Sequence, residues 1–413
     1  MNALQILTRF VKLVTPNMHS QRRKALGSCV KRAMHQSKLT VTQLGRGISS
    51  KAYEKHRIKR ADRLCSNKHL YGELPMIYAE LVKLVVASQP RPVILVDWSD
   101  LDACRRHFLL RASLAYEGRS ITLYEQVHPL CHKEKSTVHL RFLKQLKSML
   151  PVGCKPNIVT DAGFRVPWFR HVLSLNWDYV GRIRNRTLYT LDNGNNWMSC
   201  KEIYAQAQSK PQWWQNIMFT KTNPLVANWV LIKIPPKNRK LLNRFGQSRR
   251  DKPSRDAAAA SREPWLLATS LPTDSDVQAQ AIVKCYASRM QIEEGFRDQK
   301  SARFGLGMSL HESRSSQRLS VLVLIGTLAL FLMNFIGIAA EFAGLAKHFQ
   351  ANTIKHRRVL SYCYMAARLI RQSELRITIK QWLSAILYLK KQQKSMLCVG
   401  IKIRGDPSGS ESN

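Results

Sequence analysis

The chain has 413 residues, 45% of them hydrophobic, which is enough for a large buried core and excludes a disordered polymer. Its 66 Lys and Arg residues against 27 Asp and Glu residues give a net charge of +39, spread along the whole chain. A compact protein tolerates such self-repulsion most readily beside a polyanion, so nucleic acid is the leading partner, ahead of a membrane surface or an acidic protein.

The cysteines exclude two further classes of protein. The nine cysteines form no CxxC pair and have no paired-histidine spacing, so structural zinc and a disulfide framework are not expected. The first fourteen residues are interrupted by Arg9 and Lys12 and lack the unbroken apolar segment of a secretory signal. These features predict a cytoplasmic protein.

Residues 1–85 are predicted to be helical and basic. A break at 39–45 precedes the basic run Lys55–Leu64, and this order of helix, glycine-containing turn and basic helix is similar to a helix-turn-helix. We assign the region to DNA contact. A solvated helix face is the alternative for any single cation in it.

The next hundred residues predict a mixed α/β core. The apolar run Val93–Val96 is typical of a buried strand ending at Asp97, and a second strand, 157–160, ends before Asp161. Between them the pattern predicts a hairpin formed by 108–116 and 121–127, and then a helix over 140–150. Both aspartates are therefore expected at carboxyl ends of strands, where open α/β sheets place their ligands.

Residues 185–270 are strand-like and aromatic, and they include a strongly basic segment. The segment 237–261 is too charged and too poor in apolar residues to fold alone, so we expect a mobile loop that contacts phosphates. A helix is predicted to begin near Thr273, where Asp276 resembles the acidic member of a capping box.

That helix is expected to present one polar stripe. Tyr286, Arg289, Glu293 and Lys300 lie at offsets of 0, 3, 7 and 14, which fall within about 60° of one another at about 100° per residue. The stripe suits an anionic partner. A solvated charged face with an incidental Glu–Arg pair is the alternative.

Three separated carboxylates can meet at one edge of the core: Asp97, Asp161 and Glu293. Like charges in close proximity raise one another's pKa, so such a cluster is ionised together only when hard cations lie between its members. Mg²⁺ fits, and two such ions would suit phosphodiester chemistry. Three other carboxylates compete as ligands, but a solvated or supporting role is expected for them: Asp100, Asp102 and Glu294.

One segment favours a different class of protein. Val321–Ala340 is nearly all apolar and long enough to span a bilayer. A large domain can also bury such a helix, and Gly326, Asn334 and Gly337 suit close helix packing. A membrane protein with one span therefore remains a rival hypothesis.

The motifs together resemble one known family. The spacing Y-x2-R-x3-E-x6-K from Tyr286 to Lys300, LVDWSD around Asp97 and VTDAGF around Asp161 are similar to the signature of DDE transposases of the insertion-sequence-four family. The likeness extends from Thr42 to Thr353. It implies an RNase H-like α/β catalytic core holding Asp97, Asp161 and Glu293, with two Mg²⁺ ions, or Mn²⁺ in their place.

The resemblance also implies the reaction and the partners. It implies cut-and-paste transposition on double-stranded DNA in the bacterial nucleoid, through terminal inverted repeats, target DNA and a homodimer that pairs two ends. Tyr286, Arg289 and Lys300 would contact phosphates. Trp265 and Met290 would handle a flipped base, although a strand-core aromatic and a gap-filling methionine are the alternatives.

The expected domains follow from the pattern along the chain and from the resemblance. They are a helical DNA-binding domain (1–88), the first part of the RNase H-like core (89–184), a β-rich insertion (185–272), the glutamate helix of the core (273–318) and a helical C-terminal region (319–413). A non-catalytic, sequence-specific DNA-binding protein is the alternative function, but it does not account for the three carboxylates.

Overall fold

A computed structural model describes residues 3–35, 38–87, 89–102, 104–116, 118–184, 187–192, 194–235, 263–303, 305–351, 353–354, 356–372 and 377–395. The helices are α1 (Ala3–Val14), α2 (Ser20–Met34), α3 (Val41–Arg46), α4 (Glu54–Cys65), α5 (Lys68–Val86), α6 (Ser136–Met149), α7 (Val166–Ser174), α8 (Asp276–Ala287), α9 (Met290–Lys300), α10 (Ser316–Phe342), α11 (Tyr362–Arg371) and α12 (Ile379–Ser395). The strands are β1 (Val93–Asp100), β2 (His107–Leu114), β3 (Ile121–Pro129), β4 (Asn157–Thr160), β5 (Asp178–Ile183), β6 (Leu188–Thr190), β7 (Met198–Ser199), β8 (Gln212–Phe219), β9 (Leu225–Ile232) and β10 (Trp265–Thr269).

The described residues form two compact units. The first contains those within 1–154 and 290–397, and the second contains those within 155–289. The expected mixed α/β class is confirmed, because strands and helices occur in both units. The strands are mostly antiparallel.

The amino-terminal part of the first unit is helical, as predicted. The predicted break at 39–45 is wrong in part, because residues 41–46 form the short helix α3. Thr40 caps this helix by accepting a hydrogen bond from the Gln43 N–H group, which satisfies a donor that the helix start would leave unpaired. Gly45 lets α3 approach α4 closely, since a Cβ atom there would lie 2.3 Å from the Cα atom of Ile58.

Three strands of the first unit run in the order β3, β2, β1, and both neighbouring pairs are antiparallel. The predicted hairpin corresponds to β2 and β3, and the predicted helix over 140–150 corresponds to α6. All eight residues of β2 are buried, although one of them is an arginine, Arg111.

Helix α10 contains the apolar segment that could have been a membrane span. It is long and apolar enough for one by composition, but 78% of its most apolar window is buried inside the protein. Its neighbours in the first unit are α2, β3, α11 and α12. The predicted close packing is present: a Cβ atom at Gly337 would lie 2.2 Å from the Tyr362 carbonyl oxygen, and one at Gly326 would lie 2.8 Å from Leu39.

The second unit has a sheet in the order β4, β5, β10, β9, β8, β6, β7. The pair β4 and β5 is parallel, and the other neighbouring pairs are antiparallel. Strands β6 to β10 lie in the region predicted to be rich in strands. The basic loop predicted at 237–261 lies outside the described residues.

Candidate active site

Asp97 lies inside a strand and does not follow one. Strand β1 continues to Asp100, because its backbone pairing with β2 extends from Ile94↔Leu114 to Asp100↔Phe108. The prediction that the strand ends at Asp97 is therefore wrong by three residues. The carboxylate is 9% exposed, and its Oδ1 atom accepts a hydrogen bond of 2.8 Å from the Trp98 N–H group.

Two histidines fix the side chain of Trp98. Its indole N–H group donates to Nε2 of His139 at 3.0 Å, and its ring also contacts His128 edge to face. Trp98 thus joins the Asp97 position to α6 and β3. This anchoring was not predicted from the sequence, because His139 is 41 positions away along the chain.

The first unit brings three of the predicted residues to one open cleft: Asp97, Glu293 and Lys300. Glu293 is an exposed residue of α9 and lines the cleft. Lys300, at the end of the same helix, donates hydrogen bonds to Oγ of Ser99 at 2.7 Å and to the carbonyl oxygen of Asp100 at 3.1 Å. Carboxylates and a cation therefore share one solvent-accessible surface.

The predicted single helix is two helices. Helix α8 ends at Ala287 and α9 begins at Met290, so the stripe from Tyr286 to Lys300 is not one helix face. The hydroxyl of Ser288 donates to the carbonyl oxygen of Cys285 at 2.6 Å, which gives the backbone a local partner in place of the helical ladder. Tyr286 and Arg289 belong to the second unit, whereas Met290, Glu293 and Lys300 belong to the first.

The start of α8 also differs from the prediction. It begins at Asp276, and Ser275 caps it by accepting from the Gln278 N–H group. Thr273, the expected start, instead donates its hydroxyl to the carbonyl oxygen of Leu271.

A buried network supports α9 from below. The guanidinium of Arg111 donates to the carboxylate of Glu125 and to the side-chain oxygen of Gln299, and it lies 4.5 Å from the centre of the Phe296 ring. Glu125 also accepts hydrogen bonds from the hydroxyls of Tyr78 and Thr327. The sequence does contain a signal for this network, because Arg111 is the one charged residue in the otherwise uncharged strand segment FLLRASL.

The second unit contains four of the predicted site residues: Asp161, Trp265, Tyr286 and Arg289. Asp161 follows β4 as predicted, and its Oδ1 atom accepts from the Gly163 N–H group at 2.9 Å. The Tyr286 ring, 4% exposed, contacts Trp265 edge to face at 4.9 Å, and the Arg289 guanidinium lies 6.0 Å from its centre.

Burial raises the pKa of the Tyr286 hydroxyl and the charge of Asp161 adds to the rise, whereas Arg289 and Arg182 act in the opposite direction. The hydroxyl therefore remains protonated and available as a hydrogen-bond donor at neutral pH. Arg182 was not among the predicted site residues. It lies on β5, and burial lowers the pKa of its guanidinium.

Residues 88–332 match the protein family described as "Transposase DDE domain". The chain belongs to the DDE transposase family. The match includes the described residues of the second unit and part of the first, and it makes this protein a DNA transposase, an enzyme that cuts and joins DNA. Comparison with curated protein sequences gives no match.

This chain is similar to a solved structure, a piggyBac transposase synaptic complex with hairpin DNA. The similarity covers 98% of this chain and 84% of the chain in that structure. The sequence identity is 11% and the TM-score is 0.42.

The competing carboxylates of the transposase have other partners. Asp102 accepts hydrogen bonds from the N–H groups of Arg106 and His107; burial alone would raise its pKa, but these bonds lower it. Glu294 forms ion pairs with Arg119 and Arg297. Asp100 lies 3.4 Å from Lys300. Asp100 and Asp102 also line the cleft that contains Asp97 and Glu293, so the supporting roles expected for the three carboxylates stay predictions.

The candidate ligands suit a hard cation chemically. Asp97, Asp161 and Glu293 offer carboxylate oxygens, the donors that Mg²⁺ prefers. Among the described residues, however, no group of three or more His, Cys, Asp or Glu side chains is arranged to hold a metal ion.

Proposed function

We propose that this transposase performs cut-and-paste transposition of an insertion sequence and belongs to the insertion-sequence-four group, close to the transposase of insertion sequence ten. The steps would be hydrolytic nicking at the element end, hairpin formation by the freed 3′-hydroxyl, hairpin opening, and strand transfer into target DNA. The observation that carries this proposal is the cleft that Asp97, Glu293 and Lys300 share in the first unit.

In this proposal Asp97, Asp161 and Glu293 hold two Mg²⁺ ions, which Mn²⁺ could replace, within an RNase H-like core. When bound, such ions stabilise the attacking and leaving oxygens of a phosphodiester. The strand order β3, β2, β1 in the first unit and the parallel pair of β4 and β5 in the second support this core. The Trp98 N–H group keeps the Asp97 carboxylate in one orientation.

The remaining site residues hold the DNA. Lys300 offers an ammonium group at the cleft, where it would neutralise a phosphate near the reacting bond. Tyr286 and Arg289 would bind the terminal nucleotides. Trp265 would stack on a flipped base with the help of Met290, because an aromatic face recovers part of the unstacking free energy. The helices within 1–88 would bind the terminal inverted repeats, and two copies would pair two ends in the bacterial nucleoid.

The test is the substitution Glu293→Gln, which keeps the size of the side chain and removes its charge. We expect cleavage of a duplex carrying the element end to fall by more than about 100-fold, since disturbing only the partners of a metal ligand already costs 10–100-fold. Binding of the same duplex, measured by fluorescence anisotropy without metal, should be unchanged.

Glu294→Gln is the matched control, because its carboxylate pairs with Arg119 and Arg297. It should cleave at close to the wild-type rate. Full cleavage by Glu293→Gln, or an equal loss in both variants, would exclude Glu293 from the chemistry. A wild-type protein that binds the ends but never cleaves them would favour the non-catalytic DNA-binding alternative.

A further inference from the structure

The amino-terminal helices enclose an open groove in the first unit, well separated in sequence from the cleft residues. It has a volume of about 860 Å³ and is lined by residues of α1, α2 and α4 and by the turn after α3. It is larger than the cleft at Asp97 and Glu293, which has a volume of about 640 Å³. The site described above does not use it.

The groove is strongly positive. Its lining includes six cations and none of its described lining residues is acidic; the cations are Lys12, Arg23, Lys24, Lys31, Arg32 and Arg60. The pKa of His35, at one end of the groove, is lowered first by burial and then by the charges of Arg32, Lys31 and Arg371. Lys and Arg therefore make up a larger share of the groove lining than of the whole chain.

The shape of the groove suits a convex anionic ridge. Its floor includes Leu7 and Val11, which are only 4% and 3% exposed and so lie below the rim. Gly27, near the middle of α2, leaves open space, because a Cβ atom there would meet nothing within 4 Å. Lys24 and Lys31 are seven residues apart on the same helix face, about 10 Å along the axis, which is comparable with the roughly 12 Å width of the DNA major groove.

The walls of the groove are held in place before any ligand binds. The guanidinium of Arg23 donates to the carbonyl oxygens of Thr15, Pro16 and Met18, which joins α2 to the end of α1. The side chain of Arg32 lies across Gly47, where a Cβ atom would be 1.9 Å from it. A site that is already formed loses little conformational entropy when a ligand binds.

We propose that this groove binds the sugar–phosphate backbone of duplex DNA, as a contact surface additional to the exposed face of the basic helix α4. The inference rests on the proposed function only for the identity of the duplex, an element end. A membrane surface is disfavoured because the apolar residues are recessed between cationic walls, where a flat lipid surface does not reach them. The cations of the groove would instead pair with the phosphates of a DNA backbone.

The test compares two double variants of the full-length protein without divalent metal, so that DNA is bound but not cut. Lys24→Gln with Lys31→Gln removes two groove cations. The control, Lys144→Gln with Lys147→Gln, removes two exposed cations of α6, which lies outside the groove, outside the cleft and outside residues 1–88. Affinity for a 30-base-pair duplex is measured by anisotropy across a series of salt concentrations.

We expect the groove variant to bind on the order of tenfold or more weakly at about 0.1 M salt, with the slope of log K against log salt reduced by about 1.8, because each phosphate contact contributes about 0.9. The control should keep the wild-type slope. Circular dichroism and thermal unfolding should show that both variants are folded.

Equal slopes in the groove variant and the control would overturn the inference. So would a groove variant that loses binding to vesicles containing anionic lipid but keeps the wild-type slope on DNA. The outcome is separable from the proposed function: if the wild type fails to cleave any element end but the groove slope falls, the groove inference holds and the transposition proposal fails.

Discussion

At the scale of single residues, the buried pair of Arg111 and Glu125 is the least expected feature of the first unit. Arg111 is 1% exposed and Glu125 is 6% exposed. A charge removed from water at such a site is tolerated only with close, well-oriented partners, and Gln299, Tyr78 and Thr327 complete the network. Because Gln299 lies on α9, the network fixes the helix that carries Glu293.

We predict that Arg111→Met destabilises the protein by about 3–5 kcal/mol, since it leaves the Glu125 carboxylate buried without its countercharge. The double variant Arg111→Met with Glu125→Leu should be less destabilised than Arg111→Met alone, because no unpaired charge remains. Urea denaturation of the wild type, both single variants and the double variant measures these differences. If the two single effects simply add, the two side chains are not coupled and the prediction is wrong.

At the scale of elements, the break between α8 and α9 changes how the predicted stripe should be interpreted. Helical periodicity correctly placed polar residues at Tyr286, Arg289, Glu293 and Lys300, but it assumed one continuous helix. The hydroxyl of Ser288 competes with the backbone ladder, and a wheel projection contains no information on such a bond. The site roles of these residues stay predictions, and their division between two units was not predicted.

Two glycines in the amino-terminal helices should respond in opposite ways to the same change. Gly27→Ala should stabilise the protein by up to about 1 kcal/mol, because alanine is the better helix former and its Cβ atom would meet nothing. Gly45→Ala should destabilise it by about 1–3 kcal/mol, because the new Cβ atom would lie 2.3 Å from the Ile58 backbone and push α3 away from α4.

Thermal and urea unfolding of the two variants measure this contrast, and each serves as the control for the other. Stabilisation by Gly45→Ala would show that α3 and α4 are not closely packed. Loss of stability in Gly27→Ala would show that the space beside Gly27 is filled in the folded protein.

At the scale of the whole molecule, the most apolar segment is explained by burial. Helix α10 passes a composition test for a membrane span, yet 17 of its 27 residues are buried, and they occur on all its sides. A helix that is apolar all round needs either lipid or protein around it, and here α2, β3, α11 and α12 provide the protein.

We therefore predict that the purified chain stays in the aqueous phase of a detergent phase-separation assay at moderate salt. A soluble basic protein is the matched control for the effect of the net charge of +39. Recovery of the chain in the detergent phase would contradict the burial of α10 and restore the membrane hypothesis.

The sequence by itself determined the local features: the apolar run of β1, the hairpin of β2 and β3, the amino-terminal helices, and the residue types at Asp97, Asp161 and Glu293. These follow from periodicity, turn residues and motif spacing, which act over a few neighbouring positions. Only the tertiary structure decided the helix break at Ser288, the Arg111 and Glu125 network beneath α9, and the cationic groove between α1 and α2. The network and the groove depend on contacts between parts of the chain that are far apart in sequence. The helix break depends on a local hydrogen bond of the Ser288 hydroxyl. The periodicity of the sequence contains no information on either.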